Sequence, residues 1–445
     1  MAVRVVLVTV VAVIVVATAG GRDGVASAAP VATQGSGTQP QQLHLALTND
    51  LSQRTVSYVT LESTDRSVTT FGASPSQLTR RVNCTNRPFT DGGLTHRTIY
   101  LHECVLSNLD FATRYFYKVG DGDAVWSPVL NFTTWARDDP ELTLAVYGDM
   151  GVINARSLKP LQQDLAEGGY DLILHVGDFA YNMDTDEGKR GDAFMNMIEP
   201  LAGHVPYMTC LGNHETAYNF SHYTERFAAI AQTTTSGNNW WFSWDVSVVH
   251  FVALSSEIYY NFYLYPYVKI TEQLQWLERD LQRVDRSKTP FVVVYLHRPL
   301  YCSNTDDLPD CSLDTQHIRE GFTHQGQFYP GLDAFMYKYN VNLVLVAHEH
   351  SYERTWPVYN STVDPTQTNP HVYHNPQYPT HIVSGAGGCD EDLDYYDELH
   401  HGPWSLVRSA SYGYGHLHIV NSTHLHWTQF LAEGRNGTDE FWCVS

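Results

Sequence analysis

At 445 residues the chain is longer than one ordinary domain, and 43% hydrophobic against 17% charged residues places it among globular rather than disordered proteins. A formal net charge of -21 repels phosphodiester backbones and anionic lipid, which argues against nucleic acid or a membrane surface as partner. An anionic substrate would have to be captured by a locally positive centre.

The chain opens on MAVRVVLVTVVAVIVVATAG, in which Arg4 precedes an apolar run from Val5 to Ala19 and small-residue patterns follow at 17–19 and 26–28. This is the pattern of a secretory signal peptide over 1–28, since the run falls short of the ~20 residues that span a bilayer. A flexible lead-in, 29–41, follows. No later stretch reads as a span, so the expected product is soluble and secreted to the extracellular space, or retained in lysosomes. Six N-x-S/T sequons, at Asn83, Asn131, Asn219, Asn360, Asn421 and Asn436, agree with a glycoprotein. In an oxidising compartment the seven cysteines suggest disulfides and at least one free thiol. Cys84 with Cys104 and Cys302 with Cys311 are candidate pairs by proximity; Cys210, in an apolar strand, reads as a buried thiol.

From 42 to 135 short alternating segments such as TVSYVTL and TRYFYKVGDG are separated by polar turns, the texture of an antiparallel β-sandwich. No metal or nucleophile pattern falls in it. WARDDPEL, 135–142, reads as a linker, and from 142 to 445 the texture becomes strand, helix, strand. TLAVYGD and YDLILHVGD are predicted strands joined by a helix in SLKPLQQDLAEGG, a βαβ unit whose strands are parallel neighbours. Further strands are predicted in VPYMTCLGN, VVHFVALSS, FVVVYLH, VNLVLVAH and THIVSGAGG, with helices at ITEQLQWLERDLQRV and GLDAFMYKY.

Most of these strands end in a residue able to bind a metal: Asp149 in GDMG, Asp178 in GDFAY with Tyr181 behind it, Asn213 and His214 in GNHE, His297 in YLHRP, and His348 and His350 in AHEH. In open α/β sheets the functional crevice lies beyond the carboxyl ends of the strands. Adjacent parallel strands are ~4.8 Å apart, a spacing that suits carboxylates serving two ions ~3.5–4 Å apart. In extended chain His348 and His350 would point the same way and Glu349 the opposite way. Each imidazole could then serve a different ion.

GDMG, GDFAYNMD, LGNHE, YLHRP and AHEHSYERT, in this order, resemble the motifs of the metallophosphoesterases and specifically of the purple acid phosphatases, with the large animal iron/zinc type the most similar. Ala347 stands where the family motif commonly has Gly. The resemblance implies a fibronectin-III-like sandwich followed by an α/β metallophosphoesterase domain of two mixed sheets flanked by helices. It implies further that Asp149, Tyr181 and His350 hold Fe(III), that Asn213, His297 and His348 hold a divalent ion, Zn with Fe(II) or Mn as alternatives, and that Asp178 bridges. A phenolate suits Fe(III), whereas imidazole and amide suit the divalent ion. Such a centre keeps a net charge of about +2 after two aspartates and a tyrosinate, the positive patch the acidic surface lacks.

By the same resemblance His214 binds the phosphoryl group or protonates the leaving alcohol. Some relatives carry a histidine pair after the HxP motif; here only His317 and His324 follow nearby. Glu353 and Arg354 read as a structural pair. The expected function is a secreted acid phosphatase in which a metal-bound hydroxide attacks phosphate monoesters, small molecules or phosphopeptides. A dimetal phosphodiesterase or nucleotide pyrophosphatase is the alternative enzyme, and an adhesive glycoprotein with a vestigial site is the non-enzymatic one. Whether the chain forms a homodimer is not readable.

Overall fold

The computed structural model describes residues 37–137, 139–231, 236–261, 267–304, 311, 315–397 and 401–445. The expected signal peptide and the lead-in up to 36 lie outside the described residues. Gly37 is already tied to the first sheet, its carbonyl accepting Leu61 N–H at 2.7 Å.

Residues 41–133 form two four-stranded antiparallel sheets. One runs in the order 41–46, 54–60, 98–106 and 85–90; the other in the order 80–83, 68–72, 114–120 and 130–133. Leu45, Val56, Leu106, Tyr117 and Phe132 fill the space between them. The alternation seen in the sequence is the reason: every second side chain faces the opposite sheet. Cys84 and Cys104 are joined across this sandwich.

The rest is built on two seven-stranded mixed sheets stacked face to face. In the first, strands Leu142–Tyr147, Leu172–Val176 and Tyr207–Cys210 run parallel, with Tyr147 opposite His175 and Val176 opposite Cys210. The helix Leu158–Glu167 connects the first two, and Gly168, at φ 76, ends it in the left-handed conformation. On its other edge Leu142–Tyr147 pairs antiparallel with Gly413–Asn421, which continues through His424–Leu431 to Gly437–Val444.

In the second sheet Val249–Ala253, Phe291–Tyr295, Leu343–Val346 and Thr380–Ser384 are parallel neighbours. Phe242–Val246 and Tyr352–Thr355 pair antiparallel at either side. Leu144, Val146, Phe251, Val293 and Leu345, all buried, close the layer between the sheets. A second apolar cluster, with Leu277 and Met336, covers the outer face of this sheet beneath the helices Val268–Leu281 and Asp333–Lys338. Because parallel strands are buried on both faces, they read in sequence as continuous apolar runs. Among the described residues no helix is long and apolar enough to cross a membrane.

His250 sits on this sheet between Asp245 Oδ1 at 2.6 Å and Asp280 Oδ2 at 2.9 Å. Burial opposes its charge, but the two carboxylates outweigh burial and raise the imidazole from 6.5 to about 9. The folded state therefore holds the proton more tightly than the unfolded chain. The stabilisation is fully present below pH 6.5 and is lost as the pH rises through about 9. The urea midpoint of His250→Gln should lie below that of the wild type in acid and approach it in alkali. A gap that does not change with pH would refute the ion pair.

Candidate metal centre

Asp149, Asp178 and Asn213 follow three neighbouring strands of the first sheet, and His297 and His348 follow two neighbouring strands of the second. Stacking the sheets brings these five ends together. Asp149, Asp178, Tyr181 and His348 have φ of 56, 52, 46 and 70. Left-handed backbone at such residues costs of order 1–3 kcal/mol each and persists where the surroundings impose it, commonly at functional sites. Gly177, at φ 84, has no Cβ because one would lie 2.5 Å from His297 Nδ1. The methyl group of Ala347 fits because it faces Gly148, where an added Cβ would approach it to 2.3 Å.

The predicted residues assemble as two groups. In one, the Tyr181 hydroxyl donates to Asp149 Oδ1 at 3.2 Å and lies 2.8 Å from His350 Nε2, which is 3.6 Å from Asp149 Oδ1. In the other, His297 Nε2 is 3.0 Å from both Asn213 Oδ1 and Asp178 Oδ2. Asp178, His297 and His348 bring one donor atom each within 4.8 Å of one another.

The outer nitrogens of the imidazoles are already engaged. His297 Nδ1–H donates to Val176 O at 2.9 Å, and His350 Nδ1–H donates to Asp392 O at 3.0 Å. Arg298 Nη1 lies 2.7 Å from His348 Nε2 and holds that ring in place. The two carbonyl contacts fix the tautomer of His297 and His350, so the lone pair of each of these rings lies on Nε2, toward the centre. Three imidazoles, two of them with a lone pair turned inward, two carboxylates, an amide oxygen and a phenol oxygen therefore converge, and positive charge at their middle makes that arrangement favourable. These residues fit a pair of metal cations.

The electrostatics express the same demand. Burial would raise the Asp178 carboxyl, but His297 and His214 hold it well below the usual carboxylate range. Burial would lower His297 and His350, but Asp178 holds the first at about 10 and Asp149 the second at about 12. His348 is pushed well below its ordinary value by burial and by Arg298. Where anions face imidazoles, a proton occupies the place suited to a cation.

His214 borders both groups. Its Nδ1–H donates to Asn182 Oδ1 at 2.6 Å, while Nε2 lies 3.9 Å from Asp178 Oδ2 and 3.7 Å from Glu391 Oε1. Glu215, the last residue of GNHE, accepts N–H groups from Asp178, Phe179 and Gly212 at 2.9–3.0 Å and so ties two strand ends together. Sequence reasoning assigned nothing to Asn182, Glu215, Arg298 or Glu391. The first three lie inside the ordered motifs, where the pattern was the available signal; Glu391 lies in CDEDLD, an acidic stretch with no spacing to mark it.

Two expectations are corrected. His348 and His350 are not in extended chain: the strand stops at Val346 and His348 turns left-handed, its N–H donating to Asp149 Oδ2 at 3.0 Å. The two rings still serve opposite groups, now because of the turn. Glu353 and Arg354 are not a pair; Arg354 is bidentate on Asp439, at 2.6 and 2.8 Å. His317, exposed, packs on Phe322, and His324 packs on Tyr267. Cys302, Cys311 and Glu349 also lie within ligand range of one another, but the sulfurs are joined in a disulfide and cannot ligate. Cys210 is buried and unpaired, as expected, and so are Cys389 and Cys443.

Stacked mixed sheets whose strand ends cage two cations define a metallophosphoesterase. Family models match along the chain: a purple acid phosphatase N-terminal domain at 40–134, a calcineurin-like phosphoesterase at 142–352, and an iron/zinc purple acid phosphatase-like protein C at 378–440. The chain belongs to the purple acid phosphatase family, and it is a metal-binding hydrolase of the acid phosphatase type. Human acid phosphatase type 7 is 41% identical over 414 residues, covering 91% of each chain. Onion (Allium cepa) phosphoenolpyruvate phosphatase is 30% identical, covering 86% of this chain and 77% of its own. The purple acid phosphatase PPD1 from yellow lupin (Lupinus luteus) seeds superposes with a TM-score of 0.73 at 23% identity, covering 92% of this chain and 74% of that one, a likeness of fold.

Proposed function

We propose that the chain is a secreted, glycosylated enzyme, extracellular or lysosomal, that hydrolyses phosphate monoesters of small molecules or phosphopeptides at an Fe(III)/M(II) pair. Asp149, Tyr181 and His350 would hold the ferric ion. Asn213, His297 and His348 would hold the divalent ion, with zinc first and Fe(II) or Mn as alternatives, and Asp178 would be shared. When bound, the pair supplies Lewis acidity to the phosphoryl oxygens and lowers the pKa of the attacking water.

The chain's own residues supply the rest. Arg298, held by Glu257 at 3.0 Å, fixes the His348 ring, and the Val176 and Asp392 carbonyls fix the rings of His297 and His350. With Nδ1–H of His214 donated to Asn182, Nε2 faces the cluster, the position from which the ring would exchange a proton with the departing alkoxide.

The observation that carries this reading is the phenol of Tyr181 within bonding range of both Asp149 and His350. A phenolate on Fe(III) produces a visible charge-transfer band, so the purified protein should be coloured and contain iron, and Tyr181→Phe should lose the band. A colourless, iron-free but active wild type would defeat the ferric assignment. Faster turnover of bis(p-nitrophenyl) phosphate than of p-nitrophenyl phosphate would replace the monoesterase by a diesterase.

A further inference from the structure

A groove of about 910 Å3 lies beside the helical segment Ala217–Arg226, within the range of ordinary ligand sites; the half-buried indole of Trp240 lines it, and Trp241 and Trp276, otherwise buried in the core, reach it only at their edges. Its charges are largely matched: Arg87 pairs with Glu225, and Lys269 with Glu272 at 2.7 Å. A groove that combines indoles, side-chain amides and balanced charge does not select an ion. It suits a neutral, hydroxyl-rich ligand with apolar C–H faces, which is the chemistry of an oligosaccharide.

One lining residue carries its own sugar acceptor. Asn219 is exposed, lines the groove and begins the sequon Asn219-Phe220-Ser221. Tyr218, Asn219 and Phe220 have φ of 51, 64 and 56, a left-handed run that sends Phe220 into the core and leaves Asn219 outside. Phe220 packs edge-to-face on Trp240 at 5.1 Å, so the acceptor emerges beside that indole. The Trp240 ring is fixed by its Nε1–H bond to Thr224 Oγ1 at 2.9 Å, and a fixed surface binds without losing side-chain freedom.

We infer that this groove is the seat of an N-linked glycan on Asn219, with the half-buried Trp240 indole packing on the sugars of its core and the exposed Arg279 guanidinium bonding to their hydroxyls. The inference rests on the secretory reading above. It adds that this one of the six sequons carries a docked glycan, packed against the segment that follows the GNHE ligands.

The test uses the full chain secreted from a eukaryotic host, with occupancy and release read site by site from glycopeptide mass spectra. Under native conditions peptide N-glycosidase should free the Asn219 glycan about tenfold more slowly than those of Asn421 and Asn436, because the enzyme acts on the undocked fraction. After denaturation the rates should converge. Arg279→Ala and, more strongly, Arg279→Asp should close the native gap while phosphatase activity is kept. Equal native release at Asn219 and Asn421 overturns the inference, and so does a bare Asn219 on a protein whose other sequons are occupied. Secreted protein with no occupied sequon would overturn the glycoprotein reading as well.

Discussion

Asp178→Asn is expected to yield a folded protein that retains neither metal nor turnover. Asp178 Oδ1 accepts the His214 N–H at 2.9 Å, and Asn can keep that bond. The loss is at Oδ2, 3.0 Å from His297 Nε2, where a carboxylate oxygen becomes an N–H2 donor directed at the place for cations. The variant removes a negative charge from the centre and puts hydrogens where a lone pair is required. Turnover of a phosphate monoester should fall by about 10³-fold or more, the scale at which electrostatic stabilisation of the transition state is forfeited. Metal per chain, read by plasma emission, should fall well below that of the wild type while the far-UV spectrum is unchanged. Near-normal activity would refute the shared position of Asp178.

The second large effect concerns stability. Arg354 and Asp439 are both buried, and their bidentate contact joins the end of AHEHSYER to the strand Gly437–Val444. The guanidinium also lies 4.7 Å over the Phe441 ring, and Asp439 accepts the Tyr352 hydroxyl at 2.7 Å. Arg354→Met keeps much of the volume but strands the carboxylate in the core. Breaking one side of a buried ion pair costs about 3–5 kcal/mol. The urea midpoint should drop accordingly, and Asp439→Asn in the Arg354→Met background should recover part of the loss, because the uncompensated charge is then gone. A midpoint unchanged by Arg354→Met would mean that the pair contributes nothing.

The parts of the site legible in sequence are those where an apolar run stops at a single polar residue. Asp149, Asp178 and His297 fall in this class, because a parallel strand buried on both faces must be apolar until it reaches the crevice. The positions of His348 and His350 were legible but their backbone was not: alternation assumes extended chain, and nothing in AHEH marks a left-handed residue. Arg298 was invisible for a different reason. Its role depends on lying against an imidazole 50 residues away, and spacing carries no such information.

The helix Lys189–Ala202 was also missed, since a glycine near its start and Pro200 near its end obscure the period. The strands after 413 escaped because they alternate histidines with apolar residues, so that HLHIV and HLHW read as surface. In the fold their polar faces have partners, as where His418 meets Glu141 at 3.0 Å. The partner of Arg354 lies in the same stretch, which is why the sequence points to its neighbour Glu353 instead.

The pairing of Leu142–Tyr147 with Gly413–Asn421 has a bearing on how the molecule is made. Tyr414 reaches the carboxylate of Asp164 across 250 residues. On the ribosome, the segment that ends in Asp149 has an open edge until that distant strand emerges. Closing so long a loop is slow, and meanwhile the exposed edge can pair with other chains. A chain truncated upstream of 413 would keep that edge open, so a nonsense mutation there should yield aggregates rather than a smaller working hydrolase.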